Sequence, residues 1–89
     1  MTRSPYDRVA RLEDVRRDPT GWEALDLGNL LRAWGFRPES LGVSFGHEQF
    51  LWKHEENPKL LLVLPGSGAV AVSSVAFAVG LIDRARQMQ

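Results

Sequence analysis

The chain has 89 residues, a length that fits one small domain and leaves no room for a second independent core. It contains 11 Lys and Arg against 11 Asp and Glu, so the net charge is zero and provides no global attraction to nucleic acid or anionic membranes. It contains no cysteine, which excludes disulfides, thiolate catalysis and cysteine-ligated metal sites.

The first predicted helix begins near Ser4, which can serve as its N-cap. Pro5 suits the first helical position, and Asp7 follows in the first turn, where an acidic group is favourable. The helix should end before Pro19, because the residue that precedes a proline avoids helical geometry. We therefore expect residues 1–19 to be a helical extension and linker within a single domain of residues 1–89.

A second helix is predicted to follow, with Thr20 and Glu23 as a capping box. Its apolar residues recur at helical spacing and should face the core: Leu27, Leu30, Leu31 and Trp34. Gly35 stands where a left-handed C-terminal cap is expected.

The spacing then changes to that of strands. Residues 46–54 read as a strand with Phe50 and Trp52 on one face, and residues 41–45 as a preceding strand, with Gly42 or Gly46 marking the tight connection. A short apolar strand, residues 60–64, ends at Pro65, and a further strand is an option at residues 69–72.

A final helix is predicted from a cap at Ser73 or Ser74 to about Arg86. Its inward positions are Val75, Val79 and Ile82. The uncharged segment of residues 60–82 is long enough to span a bilayer, but a Pro-Gly pair interrupts it, which favours a buried strand followed by a core helix. No secretory signal is visible near the N-terminus, and we expect a cytoplasmic protein without membrane contact.

The two histidines are the candidate chemical groups. His47 and His54 are an odd number of positions apart, so on one strand they point to opposite faces and do not form an acid–base or metal pair. His47 shares its face with Gln49, Leu51 and Lys53. An imidazole there can exchange protons near neutral pH, although an ordinary exposed turn residue is the alternative.

Several segments together resemble the HicA family of bacterial toxin–antitoxin systems. They are residues 30–36 (Leu-Leu-Arg-Ala-Trp-Gly-Phe), residues 46–50 (Gly-His-Glu-Gln-Phe), the apolar strand that ends at Pro65 and the terminal helix. An N-terminal helix and an Asp-Pro linker, as in the longer family members, precede them. The resemblance covers about residues 6–85.

The resemblance implies an α+β, double-stranded-RNA-binding-like fold in the order α-α-β-β-β-α, with helices packed on one face of a three-stranded antiparallel sheet. It implies a toxin that cleaves single-stranded mRNA without a metal or cofactor and is neutralised by a HicB-like antitoxin. The catalytic histidine of the family maps onto His47, which would act as general acid/base. Lys53, Lys59 and Arg37 are the nearest candidates for holding the RNA, and a homodimer is left open.

The sequence departs from the family pattern in two places. The serine usually found before the histidine is replaced by Gly46, and Glu48 follows the histidine. The segment of residues 66–74, usually rich in Lys and His, has no positive charge here, which removes phosphate contacts. The alternative is therefore a non-catalytic HicA-like module that binds RNA or protein.

Overall fold

The computed structural model describes residues 6–88, which form three helices and one three-stranded antiparallel sheet. In chain order the elements are α1 (Arg8–Arg17), α2 (Ala24–Ala33), β1 (Phe36–Ser44), β2 (His47–His54), β3 (Leu61–Pro65) and α3 (Val72–Gln87). The strand order in the sheet is β1-β2-β3. This confirms the predicted α+β class and the order α-α-β-β-β-α.

Helix α1 begins one turn later than predicted. Asp7, which we expected inside the helix, is its N-cap, and its carboxylate accepts a hydrogen bond from the amide of Ala10 at 3.0 Å. The predicted cap Ser4 lies outside the described residues. The predicted end is confirmed, because the helix stops at Arg17, before the Asp-Pro pair. Leu12 and Val15 of α1 are fully buried, so this helix is part of the common core.

The predicted capping box at the start of α2 is wrong. The hydroxyl of Thr20 donates to the carboxylate of Asp18 at 2.6 Å, and the Glu23 side chain makes no capping bond. The amide of Ala24 instead donates to the carbonyl of Gly68 at 2.8 Å. A neighbouring segment of backbone therefore satisfies the helix end, which no local sequence pattern reveals.

The rest of α2 agrees with its sequence pattern. All four predicted core residues are buried: Leu27, Leu30, Leu31 and Trp34. Gly35 follows in the left-handed region with φ of +94°, as expected for a C-terminal cap.

Strand β1 is longer than predicted, since it begins at Phe36, directly after the glycine cap, and ends at Ser44. Phe45, which we expected in the strand, lies instead in the two-residue turn to β2 with Gly46, and both have positive φ, 55° and 81°. Paired positive φ angles suit the right-handed twist of a tight hairpin. Strand β1 also contains a β-bulge, which lies between Ser40 and Gly42.

The segment between β3 and α3 differs from its prediction in two ways. The optional strand at residues 69–72 is only an isolated bridge between Glu23 and Ala69. Helix α3 starts at Val72, with Ala71 at the N-cap and no side-chain capping bond, so the predicted serine cap is wrong. The predicted inward residues of α3 are buried: Val75, Val79 and Ile82.

All three helices contribute to one core on a single face of the sheet. Along β2 and β3 that face carries the buried residues Trp52, His54, Leu62 and Leu64. The opposite face is open, and the intervening residues of both strands lie there. No helix within residues 6–88 has the length and apolar character needed to cross a bilayer.

Candidate functional site on the hairpin between β1 and β2

The hairpin of β1 and β2 extends beyond β3 as a two-stranded arm. Strand pairing between β2 and β3 reaches only Gln49 opposite Pro65. We call residues 40–48 the hairpin arm, and every side chain in it is exposed. The arm is therefore the part of the sheet most accessible to a large ligand.

His47 is the first residue of β2 and directly follows the turn of the arm. It pairs with Ser44 across the hairpin, and its imidazole is exposed on the open face of the sheet. The nearby Gln49 amide lies 3.4 Å from the backbone carbonyl of His47 and leaves the ring accessible. An accessible imidazole beside a short turn can reach a substrate and exchange protons with it.

His54 has a structural role at the other end of the same strand. Its side chain is only 3 % exposed, on the core face. The Nδ1 atom accepts a hydrogen bond from the Glu56 amide at 3.2 Å, and the ring meets Phe36 edge to face at 5.0 Å. The prediction that the two histidines point to opposite faces is confirmed, and they share no site.

The predicted RNA-holding residues do not gather around His47. Arg37 and Lys53 are cross-strand partners at the far end of the sheet, six positions of β2 from His47, or about 20 Å along the strand. Lys59 is exposed in the turn that follows β2. The structure therefore brings two of the three cations together and separates them from the histidine.

Carboxylates accompany both clustered cations. The Arg37 guanidinium lies 3.2 Å from a carboxylate oxygen of Glu55, and the Lys53 ammonium lies 3.6 Å from one of Glu39. Arg37 also donates to the carbonyl of Arg32, near the end of α2, at 3.0 Å. These contacts reduce the positive potential that a phosphate would meet there.

Glu48 follows His47 but turns its carboxylate to the other face of the arm. The hydroxyl of Ser40 donates to this carboxylate at 2.7 Å. Glu48 is thus separated from the face that carries the histidine. Direct repulsion of a phosphate bound at His47 is correspondingly weak.

Sequence reasoning missed the apolar character of the arm. Leu41 is 52 % exposed, Val43 is 76 % exposed and Phe45 is 98 % exposed. Phe45 also adopts positive φ, which is unfavourable for a bulky side chain. The Ser-Phe-Gly sequence before His47 could have indicated this exposed apolar surface, because an aromatic residue in a tight turn at the end of a hairpin lies far from the core.

Trp34 and Trp52 serve packing, as their spacing predicts, and Trp22 packs against the core as well. Trp34 and Trp52 are buried and Trp22 is half-buried. The guanidinium groups of Arg8 and Arg86 lie 4.2 and 5.2 Å from the centre of the Trp34 ring. Its Nε1 atom is buried without a hydrogen-bond partner among the described residues, and the two cation–π contacts offset part of that cost.

A small cleft separates α2 from the base of the arm. Its volume is about 170 Å³, with Gly28, Trp52 and Phe50 among its walls. A side chain at Gly28 would lie 3.0 Å from the Trp52 ring, so this glycine permits the close approach of helix and sheet.

Residues 6–88 bring no three His, Asp or Glu side chains into a geometry that could hold a metal ion. Comparison of the chain with protein-family models, curated proteins and solved structures finds no match. The chemistry of the arm is therefore the basis for any functional assignment.

Proposed function

We propose that this protein is a HicA-like toxin ribonuclease that cleaves mRNA without a metal ion and uses His47 as general acid/base. The exposed imidazole of His47 on the open face of a projecting arm is the observation that carries the proposal. The order of helices and strands is compatible with a double-stranded-RNA-binding-like fold, which we include in the proposal. A small HicB-like antitoxin is the proposed protein partner.

A single accessible imidazole can support transesterification of RNA. His47 would remove the proton from a ribose 2′-hydroxyl, and the 2′-oxygen would attack the adjacent phosphorus. The bond from phosphorus to the 5′-oxygen breaks, and that oxygen takes a proton from the imidazolium or from water. The products are a 2′,3′-cyclic phosphate and a free 5′-hydroxyl, so no outside reactant is needed.

The open face of β2 offers a path for the rest of the strand. A polynucleotide laid along this face from His47 passes Gln49 and Leu51 and then reaches the Arg37 and Lys53 pair. Because the carboxylates of Glu39 and Glu55 accompany these cations, we expect weak binding that decreases steeply with salt.

The test is RNA degradation by the purified full chain in EDTA at low salt. We expect products that end in a 2′,3′-cyclic phosphate, and we expect His47→Ala to reduce the rate by at least about a hundredfold. Asp26→Ala, an exposed change on α2, is the control and should leave the rate unchanged. Equal inertness of the native chain and His47→Ala over a range of salt would refute the proposal.

A second function, a non-catalytic HicA-like binding module, is favoured by the apolar arm. Leu41, Val43 and Phe45 expose a surface suited to a protein partner better than to a phosphate backbone. In that case a co-expressed HicB-like partner should bind the native chain. It should bind the Phe45→Ser variant at least about tenfold more weakly, because the substitution removes an aromatic side chain that would anchor the partner. Metal-independent RNA cleavage by the isolated chain would exclude this second function.

A further inference from the structure

The two edges of the sheet are built differently. The outer edge of β1 includes Pro38, which has no N–H, and a bulge that follows Ser40. Charged side chains of Arg37 and Glu39 flank this proline. Proline, bulges and charges all discourage another strand from pairing with an edge. The sequence of β3, Leu-Leu-Val-Leu-Pro, carries no charge, and only its final proline restricts pairing.

Two backbone hydrogen bonds at the ends of β3 show which of its backbone groups point away from β2. The His54 amide donates to the carbonyl of Leu60, and the Gly66 amide donates to the carbonyl of Glu48. Backbone groups alternate along an antiparallel pair, so the groups of Leu61 and Val63 point away from β2. Among residues 6–88, no backbone bond from another element reaches these two residues.

Apolar side chains surround this edge. Leu61 and Val63 are 41 % and 49 % exposed on the open face, and Phe77 on α3 is 56 % exposed. A groove of about 520 Å³ runs between β3 and the first turns of α3 and includes the Phe77 ring and the hydroxyl-bearing Ser73. The edge therefore combines free backbone donors and acceptors with apolar surface on both sides.

We propose that a second copy of this chain pairs with β3 in antiparallel orientation, about a two-fold axis at Leu62. The result is a six-stranded sheet formed by two protomers. This proposal is independent of the ribonuclease proposal. The backbone groups of β3 and its lack of charge argue for a second copy as the occupant.

The edge is complementary to itself. With the axis at Leu62, Leu61 lies opposite Val63 of the second copy, and each of the two pairs exchanges two backbone hydrogen bonds. All the outward N–H and C=O groups of Leu61 and Val63 are then satisfied. An axis at Val63 would instead place Leu61 opposite Pro65, which has no N–H to donate, and would leave the Leu61 carbonyl unpaired.

The charge distribution also favours self-pairing. We call the two-fold contact between the β3 strands of the two copies the seam. Because the seam is symmetric, each side chain lies close to copies of its own neighbours, and charges of one sign on the edge would repel. The uncharged β3 avoids this repulsion. Leu51, which pairs with Val63 across β2 and β3, extends the apolar row on the open face to both sides of the seam. The protected edge of β1 stops the assembly at two copies.

The first experiment is sedimentation velocity of the full chain over a wide concentration range. We expect a reversible monomer–dimer equilibrium with no larger species. Val63→Lys, a charge on the seam, should weaken the dimer by at least about tenfold. Val43→Lys is the matched control, because it makes the same change at an exposed strand valine on the hairpin arm and should leave the dimer intact.

Three results would overturn the proposal: a native chain that stays monomeric at every concentration, a Val63→Lys variant that dimerises like the native chain, or species larger than a dimer. Circular dichroism melting of both lysine variants checks that the protomer folds. Amide exchange in the native chain gives a second measurement without a substitution. The Leu61 and Val63 amides should exchange more slowly as concentration rises, and concentration-independent exchange would also contradict the seam.

The register has its own test. Leu61→Glu alone should disrupt the dimer as Val63→Lys does. The double variant Leu61→Glu with Val63→Lys places opposite charges across the seam twice if the axis lies at Leu62, so it should restore dimerisation. If the double variant is folded and still does not dimerise, the register centred on Leu62 is wrong.

Discussion

His47 and His54 are the two ends of the same strand and face opposite sides of the sheet. The first is exposed beside the hairpin turn, and the second is buried beneath Phe36 with its Nδ1 atom bonded to a backbone amide. One residue type therefore carries a candidate chemical role at one end of β2 and a packing role at the other. Substitutions should separate these roles.

We predict that His54→Ala lowers the free energy of unfolding by about 2–4 kcal/mol, because it opens a cavity and leaves the Glu56 amide without its acceptor. The measurement is urea denaturation of the purified chain. His47→Ala is the paired control and should change stability by less than about 0.5 kcal/mol, since its side chain is exposed. Similar losses for the two variants would contradict the assigned roles.

Gly35→Ala should lower the free energy of unfolding by about 2–3 kcal/mol. The new side chain would be strained by the positive φ angle and would collide with the imidazole of His54. Gly35 has φ of +94°, and an added Cβ atom would lie 2.8 Å from Nε2 of His54. Gly21→Ala is the control, because φ there is +74° with open space around the Cβ position, and it should lose about 1 kcal/mol.

Combining Gly35→Ala with His54→Ala gives a further check of that contact. The double variant should lose less stability than the sum of the single losses, because the imidazole that meets the new Cβ atom is absent. Strict additivity in urea denaturation would show that Gly35 is needed only for its backbone angle.

Phe45→Asn should raise the free energy of unfolding by about 0.5–1 kcal/mol, because asparagine tolerates positive φ in a tight turn far better than phenylalanine. Phe45 is 98 % exposed, so the substitution removes no core contact. Val43→Asn in the adjacent strand, where the backbone is extended, should instead lower stability slightly. A less stable Phe45→Asn variant would show that the ring makes contacts in solution.

Asp83→Asn should lower the free energy of unfolding by about 0.5–1 kcal/mol near neutral pH, the upper range for an exposed pair. The Arg16 guanidinium donates two hydrogen bonds to the Asp83 carboxylate, at 2.9 and 2.8 Å, and joins α1 to α3. Glu56→Gln is the control, because it removes one carboxylate charge from an exposed turn, where that carboxylate makes no ion pair or hydrogen bond within residues 6–88, and it should have little effect.

The same pair predicts a pH dependence. The hydrogen bonds from Arg16 lower the pKa of Asp83 below its ordinary value of 3.8. Because the folded-state pKa is the lower one, the stabilisation is present in full above the unfolded pKa and is lost as pH falls through the folded pKa. The difference between the native chain and Asp83→Asn should therefore vanish in acid, and a difference that persists at the lowest pH would refute this account.

Local sequence features predicted most elements and the faces of the histidines. These features depend only on neighbours a few residues away. They are the helical spacing of the leucines in α2, the glycine cap that follows Trp34 and the alternation along β2. Start positions were less predictable. Phe36 enters β1 because it pairs with His54, a partner 18 positions along the chain, which local patterns do not contain.

By itself the sequence determined the element order, the apolar faces and the separation of the two histidines, because hydrogen bonding within helices and alternation within strands are local. Only the tertiary structure decided that the Gly68 carbonyl caps α2, that Arg37 and Lys53 pair with carboxylates away from His47, and that β3 is an open edge. Each of these depends on the pairing of segments that are distant along the chain. Net neutrality, visible at once in the composition, becomes in the fold a set of ion-paired cations at one end of the sheet and an arm in which the carboxylate of Glu48 bonds to Ser40 on the face away from His47.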